Sequence, residues 1–231
     1  MLGAIIGDIV GSIYEFDNIK KKDFPFITDK SSYTDDSIMT IAVAEWLLTD
    51  NEHTHEALEN VMVRYADKYK FPMGGYGGGF AQWLFRLERL IDYKTGEIAG
   101  KRVPYNSWGN GSAMRTSAVG WKFRTLEDTE KVAAISASIT HDHPEGIKGA
   151  VVTATCIWMA RHGKNKEEIY EYILGEYPPE QYPFSIDKDM EYLRKHYVWT
   201  EKCSDTVPAA MRCFYESTDY ESFMRNIFSF E

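Results

Sequence analysis

YTDDSIMTIAVAEWLL, residues 33 to 48, holds an aromatic, a hydroxyl and two adjacent carboxylates, followed by a run with apolar residues three and four positions apart. That period predicts a helix from Met39 to Leu48, with Asp36 or Ser37 as its start signal. The same spacing recurs at Glu56 to Tyr69, Gln82 to Ile91, Ala113 to Phe123, Glu127 to Ile139, Ile147 to His162, Lys166 to Leu174, Asp187 to His196, Pro208 to Glu216 and Tyr220 to Phe228. Alternation with period two, bounded by turn residues, is absent, so strands are expected to be few or none. The reading is all-α: one compact multi-helix domain over residues 1–231.

The composition narrows the partners. Of 231 residues 44% are hydrophobic, which is ample for one large core. A net charge of −9, with Lys20-Lys21-Lys22 as the longest basic block, argues against nucleic acid, because phosphate neutralisation needs clustered Lys and Arg. Cys156, Cys203 and Cys213 form an odd set without CxxC spacing, as expected of reduced thiols. No stretch reaches the ~18 apolar residues of a membrane span. The expectation is a cytoplasmic protein without a membrane partner.

Five stretches carry chemistry. In MLGAIIGDIVGSIYE, Gly3, Gly7 and Gly11 recur every four residues. Glycine costs roughly 1 kcal/mol in a helix against alanine, and close helix packing would offset it. Asp8 and Glu15, seven residues apart, are expected on one face of that helix, and an acid in an apolar segment needs ionic satisfaction. Glu15 is therefore a candidate site residue.

Two acids side by side repel. In Thr34-Asp35-Asp36 one carboxylate could cap the helix and the other favour its positive end. A hydroxyl and two carboxylates also form a hard-oxygen set suited to Mg²⁺ or Mn²⁺. FPMGGYGGGF packs five glycines into the six residues 74–79, around Tyr76. It reads either as a flexible connector or as backbone amides approaching an anion at a helix N-terminus. No lysine follows, so it is not a P-loop. In SWGNGSAMR, small residues lead into a helix carrying Arg115, read as a brace for an acid. His141-Asp142-His143-Pro144 lies between helices, with Pro144 set for a first turn. There a single histidine touching a ligand fits better than a zinc site or a His-Asp phosphohydrolase.

GAIIGDIVGSIYE, YTDDSIMT, GGYGGGF, SWGNGSAMR, ITHDHPEGIKGA and SDTVPAAMRCFYES leading into DYESFMRNIFS, in this order, resemble the ADP-ribosylglycohydrolase family, from residue 3 to about residue 229. The resemblance implies an all-α fold and a metal-dependent hydrolase that cleaves the bond between ADP-ribose and an acceptor, on a protein or a small molecule. Thr34, Asp35 and Asp36 match metal ligands, Glu15 the acid beside the scissile ribose, and Asp35 a shared catalytic role. Gly75, Tyr76, Gly77 and Gly78, together with Asn110, Gly111 and Ser112, match parts that hold diphosphate and ribose. His141 matches the histidine of the ligand pocket.

The family ordinarily continues into a Gly-Gly-Asp-x-Asp-Thr segment that supplies further ligands, and these 231 residues do not contain it. Asp205-Thr206 is expected only to open the Pro208 helix. A single or weakly bound ion is then expected. Three situations follow: a shortened member, an enzyme with a reduced ligand set, or a pseudoenzyme that still binds an ADP-ribose-like ligand. Apolar surface left by a missing helix would suit a second copy, so a homo-oligomer joins the expected partners.

Overall fold

The computed structural model describes residues 1–230; Glu231 lies outside the described residues. Its helices are α1 (Leu2–Gly11), α2 (Asp35–Thr49), α3 (His55–Lys68), α4 (Gly78–Phe85), α5 (Gly111–Met114), α6 (Ser117–Lys122), α7 (Leu126–Ser138), α8 (Pro144–Arg161), α9 (Lys166–Glu176), α10 (Met190–His196), α11 (Cys203–Glu216) and α12 (Tyr220–Ile227). Among the described residues the only β pairing is two isolated bridges, Ile91 with Ile98 and Gly109 with Lys202. No helix among them is long and apolar enough to cross a membrane.

The main core gathers α2, α3, α4, α6 and α7 around fully buried Met39, Trp46, Leu58, Met62 and Trp83. A second cluster joins α8, α9 and α11 through Val152, Cys156, Ile169, Ile173 and Val207. The glycine stripe of α1 is explained by α12, which lies against it. A Cβ on Gly3 would stand 3.5 Å from the Tyr220 ring, one on Gly7 3.3 Å from the Tyr220 hydroxyl, and one on Gly11 3.9 Å from Phe228. Tyr220 also donates to the Gly3 carbonyl at 2.7 Å. Arg225 of α12 donates to the carbonyls of Lys22 and Phe24, so one short helix fastens both α1 and the long loop after it.

Several boundaries differ from the periodic reading. Helix α2 starts at Asp35 because Thr34, not an aspartate or Ser37, is the cap: its Oγ1 accepts from the Asp36 amide at 3.2 Å. The stretch read as one helix from Gln82 to Ile91 is α4, begun by the glycines themselves, followed by a single 3-10 turn at Leu87–Arg89. The stretch read from Ala113 to Phe123 breaks at Arg115-Thr116 into α5 and α6. Helix α11 begins five residues before Pro208, which sits in its second turn, with Asp205 in the first.

Candidate functional site

Asp8 organises the site from α1. Its carboxylate accepts from the Thr34 amide (2.9 Å), the Thr34 hydroxyl (2.6 Å), the Ser37 amide (3.2 Å) and the Ser37 hydroxyl. Thus an acid from one helix caps the N-terminus of another, satisfying amides that would otherwise lack partners. Asp35 and Asp36 follow as the first two residues of α2. Burial, then Asp36 and Glu15, push the Asp35 carboxyl up to about 8. Burial, then Asp8, raise Asp36 to about 7. Without a facing cation among the described residues, the two carboxyls thus retain protons up to near neutral pH, and a hard dication would favour their charged forms.

Glu15 is not on a helix face shared with Asp8, as its spacing suggested. Helix α1 ends at Gly11, and Glu15 stands in the turn that follows. That turn brings it to the glycine loop. Gly74 has φ +77°, and a Cβ there would stand 2.7 Å from the Glu15 carboxylate, so only glycine fits. Burial, then the charges of Asp8 and Glu201, raise the Glu15 carboxyl above the ordinary glutamate value.

The SWGNG segment is clamped from both sides. Tyr105 donates its amide to the Thr140 carbonyl, Asn106 to an Asp142 carboxylate oxygen at 2.8 Å, and Asn110 to the Glu201 carbonyl at 2.7 Å. Asp142 is held by the Tyr93 hydroxyl as well, so it is a loop anchor. Among the described residues Arg115 has no carboxylate partner, contrary to the brace expected from sequence. Its Nη2 donates to the Ser136 carbonyl (2.7 Å) and the Thr140 hydroxyl (2.9 Å), tying α5 to the end of α7. Thr140 Oγ1 lies 2.7 Å from His141 Nδ1 and 3.4 Å from the Ala137 carbonyl. Nε2 lies 3.1 Å from the place of a Cβ on Gly111. Burial and the nearby Arg115 hold the His141 imidazole well below its usual range, hence neutral.

These parts border one cavity of about 960 Å³. Its wall includes Glu15, Thr34, Asp35 and Asp36, the loop residues Gly75, Tyr76, Gly77 and Gly78, and Asn110, Gly111 and His141. Ser112 is the exception among the sequence candidates: it is fully buried, and its hydroxyl donates to the Gly146 carbonyl at 2.6 Å, locking α5 onto α8. Asp8, Tyr105 and Glu201 also border the cavity. Asp8 had a signal, an acid in an apolar run; Glu201 had none, because only the pairing of Gly109 with Lys202 brings it there. Away from the acids the cavity runs into an apolar trough between α8, α11 and α12, past Cys156, Ile157, Met211 and Phe223.

The sequence matches the ADP-ribosylglycohydrolase family over residues 1–230. The chain belongs to this family. It is 30% identical over 199 residues to mouse (Mus musculus) ADP-ribosylhydrolase ARH3, covering 76% of this chain and 52% of that protein. The human (Homo sapiens) ADP-ribosylhydrolase ARH3 is 30% identical over 201 residues, covering 76% and 53%. ADP-ribosylarginine hydrolase Tri1 of Pseudomonas putida (strain GB-1) is 24% identical over 178 residues, covering 73% and 47%. The chain thus spans about half the length of the curated relatives it matches. A solved structure, an ADP-ribosylglycohydrolase-related protein complex, shares the fold: TM-score 0.67 at 20% identity, over 99% of this chain and 78% of that one.

As a cation site the family residues fit by chemistry and only in part by arrangement. Asp35 and Asp36 are half-buried hard-oxygen donors with no cationic side chain paired to them among the described residues. Thr34 is already engaged by Asp8 and by the Asp36 amide. Among the described residues no three His, Cys, Asp or Glu side chains are grouped to hold an ion.

Proposed function

We propose that this chain hydrolyses the glycosidic bond between ADP-ribose and an acceptor carried by a protein or a small molecule. One observation carries the reading: a single cavity of about 960 Å³ joins the acids of α1 and α2, the glycine loop and the Gly109–Gly111 segment, in a chain of this family. Helix α4 starts inside the loop, at Gly78, so its first amides and its positive end are available to a diphosphate. Neutral His141, on the wall of the same cavity, suits a ribose hydroxyl, which can both donate and accept.

Asp35 and Asp36, with Thr34, would hold Mg²⁺ or Mn²⁺, most of whose roughly six oxygens would then be water. Such an ion supplies orientation of the ribose hydroxyls and a more acidic bound water. The reaction breaks the bond from the anomeric carbon to the acceptor and forms one to water. A Glu15 carboxylate oxygen takes the water's proton, which leaves with the acceptor. A carboxyl raised toward neutrality by burial is a stronger base than an exposed glutamate. Negative charge nearby stabilises the oxocarbenium-like ribose.

The second reading is a pseudoenzyme that binds the ligand without turnover, favoured by the engagement of Thr34 with Asp8. Calorimetric titration with ADP-ribose, with and without Mg²⁺, followed by assay of release from ADP-ribosyl-arginine and ADP-ribosyl-serine, separates the two. Release that is lost in Glu15→Gln and Asp35→Asn supports the hydrolase. Binding without release supports the pseudoenzyme, and neither result sinks both.

A further inference from the structure

His141 and Asp142 are adjacent, yet only the histidine borders the cavity. Asp142 is half-buried, and both its oxygens are engaged: one accepts from the Asn106 amide at 2.8 Å, the other from the Tyr93 hydroxyl at 2.7 Å. What it holds is out of the ordinary. Asn106 has φ +56°, in the left-handed region that residues with a Cβ seldom enter. Among the described residues three non-glycines do so, Lys20, His53 and Asn106, and of these only Asn106 has both chain neighbours, Tyr105 and Ser107, on the cavity wall.

The turn at Asn106 aims the chain that follows. The Ser107 carbonyl occupies the place that a Cβ on Gly146 would fill, in the first turn of α8. The Ser107 hydroxyl accepts from the Gly109 amide at 3.2 Å. Further on, a Cβ on Gly109 would stand 3.7 Å from His141 Nε2, and one on Gly111 3.1 Å. The two residues of the doublet thus divide the segment: Asp142 fixes its entry and His141 lies against its far end. A change of φ at Asn106 would swing Ser107 off Gly146 and the glycines away from His141.

From this geometry we infer that Asp142 is a positioning residue: it holds Asn106 left-handed and so keeps Ser107 and Gly109–Gly111 in the shape that receives the ligand. A carboxylate makes a stronger acceptor than a neutral group, and a segment ordered in advance spares the ligand the cost of ordering it. The inference rests on the proposed reading of the cavity, because ADP-ribose is the ligand that the segment would meet, and it is common to the hydrolase and the pseudoenzyme.

The test is calorimetric titration of the full chain with ADP-ribose and Mg²⁺, together with amide hydrogen exchange over residues 105–111. It compares the parent with Asp142→Ala, Asp142→Asn, Asn106→Val and the double variant Asp142→Ala with Asn106→Gly, each well below its melting temperature. Loss of the charge-assisted hydrogen bond should weaken ADP-ribose about tenfold or more in Asp142→Ala, with faster exchange confined to residues 105–111. Asn106→Val, whose branched side chain resists positive φ, should do the same with the carboxylate intact. Asp142→Asn can still accept from the amide, and glycine in the double variant takes the left-handed turn freely, so each should recover most of the affinity. The inference is overturned if Asp142→Ala binds as tightly as the parent, or if Asn106→Gly restores nothing, which would make Asp142 a general stabiliser of the fold. A parent chain that binds no ADP-ribose overturns the proposed function and this inference with it. Binding by the parent that none of the variants weakens overturns the inference alone.

Discussion

Asp8 shows how one side chain on the cavity wall can fix a site through the residues it holds. It accepts four hydrogen bonds from Thr34 and Ser37, and so sets where α2 begins and where Asp35 and Asp36 stand. Asp8→Ala strands the two amides and is expected to cost about 1–3 kcal/mol in urea unfolding, the usual penalty for unpaired buried donors. Ser37→Ala removes one bond and should cost less. His141 gives a pH dependence. Its folded affinity for protons lies below the ordinary value of 6.5, so below pH 6.5 the unfolded chain binds the proton that the folded chain refuses. The His141 contribution to folding stability is therefore full above that pH and falls progressively as pH drops beneath it. His141→Gln should flatten that part of the profile in unfolding measured from pH 7.5 to 5. A slope equal to the parent's would mean that another group is responsible.

At the scale of elements, the contact between α1 and α12 joins the two ends of the described chain. Small residues on one helix let large ones on the other approach, so Gly7→Leu would drive a side chain into Tyr220 and Met224. Overpacking of this kind costs about 1–3 kcal/mol. Tyr220→Phe, which only removes the bond to Gly3, should cost about 1 kcal/mol. Both are read from denaturant midpoints at unchanged m value. If Gly7→Leu were neutral, the stripe would have no packing role. The helices themselves were legible from period and polarity wherever they carry an amphipathic face. The Gly78–Phe85 helix was misread because glycines suggest a connector. The Arg115 break was missed because the guanidinium's partners are carbonyls at the end of a helix more than twenty residues later.

At the scale of the molecule, the cavity is built by segments from across the chain, and the proposed cation would be met by its acids. Mg²⁺ at a hundredfold its dissociation constant would stabilise the folded chain by about 2.7 kcal/mol. A rise in melting temperature with added Mg²⁺ or Mn²⁺, absent in a chain carrying both Asp35→Asn and Asp36→Asn, is the expected result. No rise in the parent would remove the ion from the proposed mechanism. The same assay run with EDTA reports whether the ion arrives with the purified protein.

The one-dimensional pattern was enough for the helical class and the family, and all but one of the site residues it singled out border the cavity, because periodicity, caps and clustered glycines are local consequences of residue type. Thr34 as the cap, Glu15 beyond its helix, Ser112 turned into the protein and Glu201 brought to the wall were decided only in three dimensions. Each depends on a hydrogen bond or close approach between segments far apart in sequence, and no local preference encodes which distant partner a side chain will meet.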